Sequence, residues 1–261
     1  MSWWRNLTRR RSSGPLLSVV DDRGTGPVVV LIHGIASSSV TFQNVIPLIE
    51  ERHRCISIDL LGFGASPIVE DCDYTLADHA SAIRRTIRHL RLREPFTLVG
   101  HSMGSLIGAR YAARWAVAKL VLVSPPIYLS PTELSDDLDR GRMDFYLKAY
   151  RFFRENKEFT LQNARIVERF LAIPKAMDIT ERTWVPFVKS LENSIESQTT
   201  ISDLAAVRAP VEVVYGALDQ FASEGSLKIV ERMRGVEVHR VAASDHLIGK
   251  RLARVVAEAI G

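Results

Sequence analysis

The stretch Pro95-Phe96-Thr97-Leu98-Val99-Gly100-His101-Ser102-Met103-Gly104 constrains the fold of this chain more than any other. Pro95 to Val99 is an apolar run with the character of a buried strand, and Ser105 to Arg114 reads as a helix. Only a sharp turn fits between them, and Gly100-His101-Ser102-Met103-Gly104, a G-x-S-x-G pattern, supplies it. Both glycines stand where a Cβ would collide with the neighbouring helix or strand. A serine on such an elbow exposes its hydroxyl to the amides of the new helix, so negative charge forming there meets N–H donors. A purely structural Gly-Ser turn is the competing reading, and the rest of the chain decides between them.

A nucleophilic serine needs a base to take its proton, and the base needs an acid to hold its tautomer. Val211-Glu212-Val213-Val214-Tyr215 reads as a strand and runs into Gly216-Ala217-Leu218-Asp219, leaving Asp219 just past the strand's C-terminal end. Val236 to Val241 alternates as a strand does, and the loop after it carries His246. Upstream, Val28 to Ile32 leads into His33-Gly34-Ile35-Ala36, a glycine-containing turn near the start of the chain.

These blocks, with Asp59-Leu60-Leu61-Gly62-Phe63-Gly64-Ala65-Ser66, resemble the α/β-hydrolase fold family from about Pro27 to the C-terminus. The chain order Ser102, Asp219, His246 is that family's order and not the order of the chymotrypsin or subtilisin groups. The resemblance implies Ser102 as nucleophile, Asp219 as acid and His246 as base. It also implies that the backbone N–H groups of Ile35 and Met103 form the oxyanion hole. Many relatives carry glycine just before the histidine, where this chain has Asp245. Asp245 itself is a poor orienter of His246, because the side chains of adjacent residues diverge. His33 and His101 occupy turns where the family uses histidine structurally.

The wider pattern agrees with an α/β fold: a mostly parallel central sheet flanked by helices. Phe42 to Arg52 reads as a helix, Cys55 to Asp59 as a strand, and Thr75 opens a helix to about Leu92 with Asp78 placed for capping. Lys119 to Val123 is a further strand, and Leu247 to Ile260 a closing helix. Between Pro126 and Pro210 the alternation stops, and Leu138 to Glu155 and Leu161 to Ile173 have helical periodicity. The expected organisation is a basic extension over 1–15, a core over 16–126 and 208–261, and a helical cap over 127–207. The insertion is rich in aromatics: Phe145, Tyr146, Tyr150, Phe152, Phe153, Phe170, Trp184 and Phe187. Most are expected to pack the cap itself; Phe145, Phe153 and Trp184 are the candidates for lining an acyl pocket.

At 261 residues and 46% hydrophobic, the chain is long enough to bury the core of one such domain. Its net charge of +4 lies wholly in Arg5, Arg9, Arg10 and Arg11, which leaves 30 basic against 30 acidic residues elsewhere. A neutral body indicates no nucleic-acid surface. No stretch has the ~18 uncharged apolar residues of a membrane span, and after the N-terminal arginines only Leu16-Leu17-Ser18-Val19-Val20 is apolar, shorter than the ~7–15 of a signal-peptide core. Integral membrane association is therefore not expected, and the Trp3-Trp4-Arg5 tail leaves room only for weak peripheral contact. Two cysteines, Cys55 and Cys72, make no disulfide framework, so a reduced, cytoplasmic setting is expected. No histidine cluster has metal-ligand spacing, and neither metal nor cofactor is expected.

Serine in place of the aspartate used by haloalkane dehalogenases and epoxide hydrolases favours acyl transfer over those reactions. The expected activity is hydrolysis of a small-molecule carboxylic ester, small or medium and partly apolar, through an acyl-enzyme. The rival enzymatic reading is a carbon–carbon bond hydrolase of the meta-cleavage-product type. Those enzymes typically show S-N-S-M-G-G at the nucleophile and tryptophan after the histidine, where this chain has Gly100-His101-Ser102-Met103-Gly104-Ser105 and Leu247. Haloperoxidase or thioesterase activity, and a catalytically silent binding protein on the same fold, complete the alternatives.

Overall fold

The computed structural model describes residues 14–128, 137–163 and 179–261. Seven strands form one sheet: β1 (Val19–Arg23), β2 (Val28–Ile32), β3 (Arg54–Ile58), β4 (Thr97–His101), β5 (Lys119–Val123), β6 (Val211–Gly216) and β7 (Val236–Val241). Their order is β1-β3-β2-β4-β5-β6-β7. Only β1 runs antiparallel to its neighbour, β3, and the remaining pairs are parallel.

Parallel strands covered on both faces read as unbroken apolar runs, as β2 and β5 do. Successive side chains point to opposite faces, and the two cores divide accordingly. Val30, Ile32, Leu98, Leu120, Leu122 and Val213 face one core. That core is closed by α2 (Leu76–His89) and α3 (Met103–Ala112), through Ile83, Ile87, Leu106 and Ile107. Val29, Leu31, Val99, Val121, Val123 and Val214 face the other. There α1 (Ile46–Ile49) and the C-terminal helix Lys250–Ile260 bury Ile46, Ile49, Leu252 and Val256.

α2 begins as its sequence demands. The Asp78 N–H donates to Thr75 Oγ1 at 3.1 Å, and the Thr75 N–H donates to Asp78 Oδ2 at 3.0 Å, so two orphan donors are satisfied reciprocally. The helix expected over Phe42 to Arg52 is much shorter. A 3-10 turn covers Ser39–Phe42, and α1 follows only from Ile46. Pro47 explains the break: it has no N–H to give to a preceding turn, so it is accepted only in the first turn of a helix. The closing helix likewise starts later than expected, because Gly249 is extended (φ −69°, ψ 169°).

Between β5 and β6 the described residues hold helices and no strand: α4 (Asp137–Glu155), α5 (Lys157–Gln162), α6 (Trp184–Ser190), a π-helical turn (Leu191–Glu196) and α7 (Thr200–Ala206). α8 (Glu224–Glu231) follows β6, and the C-terminal helix is α9. Hydrogen bonds tie these helices down at the C-terminal ends of the strands. Ser194 Oγ donates to the Tyr74 carbonyl (2.8 Å), and Gln198 Nε2 donates to the Pro126 carbonyl (2.9 Å). Arg154 of α4 pairs with Glu196 of the π-helical turn at 3.2 Å. Phe170 and the first thirteen residues, including the Trp/Arg tail, lie outside the described residues. No helix of the described residues is long and apolar enough to cross a membrane.

Candidate active site

Ser102 follows β4 directly and has φ 52° and ψ −124°. A residue with a side chain costs on the order of 1–3 kcal/mol in such a conformation and persists only where its surroundings impose it. Here the Ser102 N–H donates to the Val123 carbonyl at 2.9 Å, and Ser105 Oγ donates to the Gly100 carbonyl at 2.7 Å. The collision that the two glycines avoid is evident. A Cβ on Gly100 would lie 2.3 Å from the Gly104 carbonyl oxygen, and one on Gly104 would lie 2.5 Å from that of Ile32. The elbow is tight because α3 starts pressed against β2 and β4.

Asp219 sits on the turn after β6, its N–H donating to the Gly216 carbonyl at 3.0 Å. The loop after β7 is laced to that turn: the Leu218 N–H donates to the Ser244 carbonyl at 2.8 Å. This lacing carries His246 to Asp219, and its Nδ1–H lies 3.0 Å from each carboxylate oxygen. The Phe221 N–H donates to the same carboxylate at 2.9 Å. Burial alone would raise the Asp219 pKa, but His246 beside it and these hydrogen bonds outweigh burial and hold it below the usual carboxylate value. An ionised carboxylate only accepts, so Nδ1 of His246 carries the ring hydrogen and Nε2 carries the lone pair.

The two histidines of the flanking turns are fully buried. Burial pushes His101 down to about 3, so its ring stays neutral. Its Nε2–H donates to the backbone carbonyl of His246 at 2.9 Å, which fixes the position of that residue rather than reacting with anything. His33 is likewise lowered by burial. Its Nδ1–H donates to the Gly34 carbonyl (2.7 Å), and its Nε2 accepts from the Leu60 N–H (2.9 Å). With both nitrogens spent in one neutral tautomer, the nearby Asp59, 3.6 Å away, forms no true ion pair with it.

Ile35 and Met103 flank Ser102. Met103 is the first residue of α3. A Cβ on Gly34 would meet Cβ of Ser102 at 2.9 Å, so the Gly34–Ile35 backbone lies directly against the serine. Ile35, Ser102 and His246 border one cavity of about 20 Å³, walled by Pro126, Tyr150, Leu191, Ile195 and Phe221. That is room for about one water molecule. The Phe221 ring stands edge-on to His246, with centroids 4.8 Å apart.

The three aromatics expected to line a pocket do not border this cavity. Phe145 is 58% exposed on α4, Phe153 is buried in the larger core, and Trp184 packs on Phe187 with ring centroids 5.9 Å apart. Tyr150 does border it, and its place among the insertion's aromatics was the only sign of it. Phe221 carried no signal beyond standing two residues after Asp219. Asp245 turns away from His246, accepting from the Leu247 N–H at 3.1 Å. Asp203 belongs to the first turn of α7 and accepts from Thr199 Oγ1 at 2.9 Å.

The one group of three metal-ligating side chains among the described residues is Glu212, Glu237 and His239, on β6 and β7. It lies towards the N-terminal ends of these strands, opposite the end that carries Asp219. His239 Nε2 is already hydrogen-bonded to Glu212 at 2.7 Å.

The family model of the alpha/beta hydrolase fold matches residues 27–174, more than half of the chain, and the chain belongs to that family. Among curated proteins it is similar to probable lysophospholipase BODYGUARD 3 of Arabidopsis thaliana, with 37% identity over 109 residues. That match covers 40% of this chain and 22% of the plant protein. It is also similar to cis-3-alkyl-4-alkyloxetan-2-one decarboxylase of Shewanella oneidensis, 32% identical over 42% of this chain and 36% of that protein. The chain thus spans well under half the length of these relatives. Among solved structures, E-2-(acetamidomethylene)succinate hydrolase superposes with a TM-score of 0.70 at 22% identity, covering 92% of this chain and 91% of that one. A loop variant of a haloalkane dehalogenase from Bradyrhizobium elkanii gives 0.73 at 21% identity, over 93% and 94%. At such identities the superpositions establish the fold alone.

Proposed function

We propose that this chain is a serine hydrolase that cleaves carboxylic esters of small or medium, partly apolar substrates. The observation that carries the reading is that Ser102 and His246 border one cavity while Nδ1 of His246 is bonded to the buried Asp219. In this reading Nε2 of His246 takes the hydroxyl proton of Ser102 as its oxygen attacks the ester carbonyl. The oxyanion so formed is met by the N–H groups of Ile35 and Met103, the second at the positive end of α3. Protonation of the leaving alcohol by His246 breaks the ester bond and leaves Ser102 acylated. Water, deprotonated by the same nitrogen, then releases the acid. Asp219 holds the imidazole in the tautomer that makes Nε2 the base.

The helices of residues 127–207 serve as a cap, contributing Tyr150, Leu191 and Ile195 as mainly apolar walls and no group to the bond-breaking itself. The name of the plant relatives, lysophospholipase, is that of a carboxylic ester hydrolase, which agrees with serine at the nucleophile position.

The test is a panel of nitrophenyl esters of graded acyl length with a meta-cleavage dienoate alongside, together with labelling by a fluorophosphonate probe. Ester turnover and labelling, both abolished by Ser102→Ala, are expected. Labelling without ester turnover, with cleavage of the dienoate, would move the reading to carbon–carbon bond hydrolysis. No labelling at all would leave a silent hydrolase fold.

A further inference from the structure

Beside the cavity stands a polar feature for which the proposed chemistry has no use. Tyr150, on α4, borders the cavity, and its hydroxyl lies 3.1 Å from that of Tyr128, which follows β5. Each phenol brings one O–H hydrogen. Their mutual hydrogen bond uses one, and among the described residues no acceptor stands within reach of the other. Burial raises both phenols above their ordinary value, with Asp219 adding to the effect, so both remain donors. The Tyr150 ring stacks on Phe221 with centroids 6.5 Å apart, and Phe221 stands against His246, so the pair lies close to the triad.

An O–H withdrawn from water and left unbonded costs on the order of 1–3 kcal/mol, so the spare hydrogen favours an oxygen arriving in the cavity. With no substrate present, water fits the small cavity. Apart from Ser102 and His246, the other walls (Ile35, Pro126, Leu191, Ile195, Phe221) offer no polar side chain. We propose that the Tyr128–Tyr150 hydroxyl pair is a binding subsite for a second, uncharged oxygen of the substrate, separate from the scissile ester group. A keto, ether or hydroxyl oxygen satisfies it. A carboxylate or phosphate does not, because among the described residues no lysine or arginine lines the cavity and the ionised Asp219 repels a second anion. The inference rests on the serine-hydrolase reading and refines its substrate class: an ester whose acyl or alcohol part carries a further neutral acceptor.

The test uses the full chain and nitrophenyl esters in matched pairs: methoxyacetate with butanoate, 4-oxopentanoate with pentanoate, and 5-oxohexanoate with hexanoate. Glutarate monoester is the charged comparison. Each kcat/KM is divided by the rate constant for alkaline hydrolysis of that ester, which removes intrinsic reactivity. The wild type is expected to favour the oxygen-bearing member of at least one pair by about five- to tenfold, the size of one neutral hydrogen bond, and to discriminate against the glutarate. Tyr150→Phe is expected to bring that ratio to within about twofold of one, and Tyr128→Phe to lower it by a smaller factor. The ratio is the decisive readout, because a variant that merely loosens the cap lowers both members of a pair alike. No preference in any of the three pairs, or an unchanged ratio in Tyr150→Phe, overturns the subsite while the serine-hydrolase reading stands. Absence of both turnover and fluorophosphonate labelling would instead overturn that reading, and the subsite with it.

Discussion

Acid lability follows from the buried histidines, and its size can be worked out. Burial pushes His79 and His101 each down to about 3 from an ordinary 6.5, and lowers His33 as well. In the unfolded chain these rings take up protons as pH falls through 6.5, while in the fold they stay neutral. Stability is therefore fully present above pH 6.5 and is lost as pH falls from there towards the folded values. At about 1.36 kcal/mol per pH unit, each ring costs roughly 2 kcal/mol by pH 5. His79 and His101 together then give about 4 kcal/mol, with His33 adding in the same direction. Asp219 stays out of this window: its lowered pKa makes its contribution vanish only below the ordinary carboxylate value. The assay is urea unfolding followed by tryptophan fluorescence at pH 8 and pH 5, with linear extrapolation to water. His79→Gln removes one of the three rings; among the described residues that ring's one hydrogen bond is Nε2 with Ser190 Oγ at 3.3 Å. Whatever it does to stability at pH 8, its loss between pH 8 and pH 5 is expected to be smaller by about 2 kcal/mol. A wild type stable to within about 1 kcal/mol across that range, or a His79→Gln variant with unchanged pH sensitivity, would refute the reasoning.

Asp219→Asn keeps the shape but favours the wrong tautomer of His246, and kcat for a nitrophenyl ester is expected to fall by about 10³–10⁴-fold; turnover near wild type would require another acid. Gly34→Ala drives a methyl group against Cβ of Ser102, which a Cβ would meet at 2.9 Å. It is expected to lower kcat at least tenfold with an unaltered far-ultraviolet circular dichroism spectrum, and full activity would show that the Gly34–Ile35 backbone has room to move. Deleting residues 1–13 is expected to leave turnover of soluble esters within about twofold, since the residues from Leu17 onward already build two extensive cores. A collapse of the rate would show that the tail packs on the body.

The chain's own order of residues determined much of this protein. The apolar runs of β2, β4, β5 and β6, the G-x-S-x-G elbow and the Thr75–Asp78 cap were legible because each depends on neighbours within a few positions. A period of two or of 3.6, a glycine where backbones cross and a capping hydroxyl are local facts, and they brought Ser102, Asp219 and His246 into view. Where local reading misjudged, it misjudged locally too: Pro47 stood in plain sight and still shortened a helix drawn through it. What lay beyond the sequence were contacts between distant segments. The bond from His101 to the His246 carbonyl joins residues 145 apart, and the Tyr128–Tyr150 pair joins residues 22 apart across the start of the insertion. Composition announced that the insertion was aromatic, but not that Tyr150 would meet the cavity while Phe145, Phe153 and Trp184 would not. Periodicity tells which face of a helix is apolar. Which residue of that face reaches the cavity beside Ser102 is set by how the helix docks, through contacts such as Ser194 to Tyr74 and Gln198 to Pro126, and only the tertiary structure decides that.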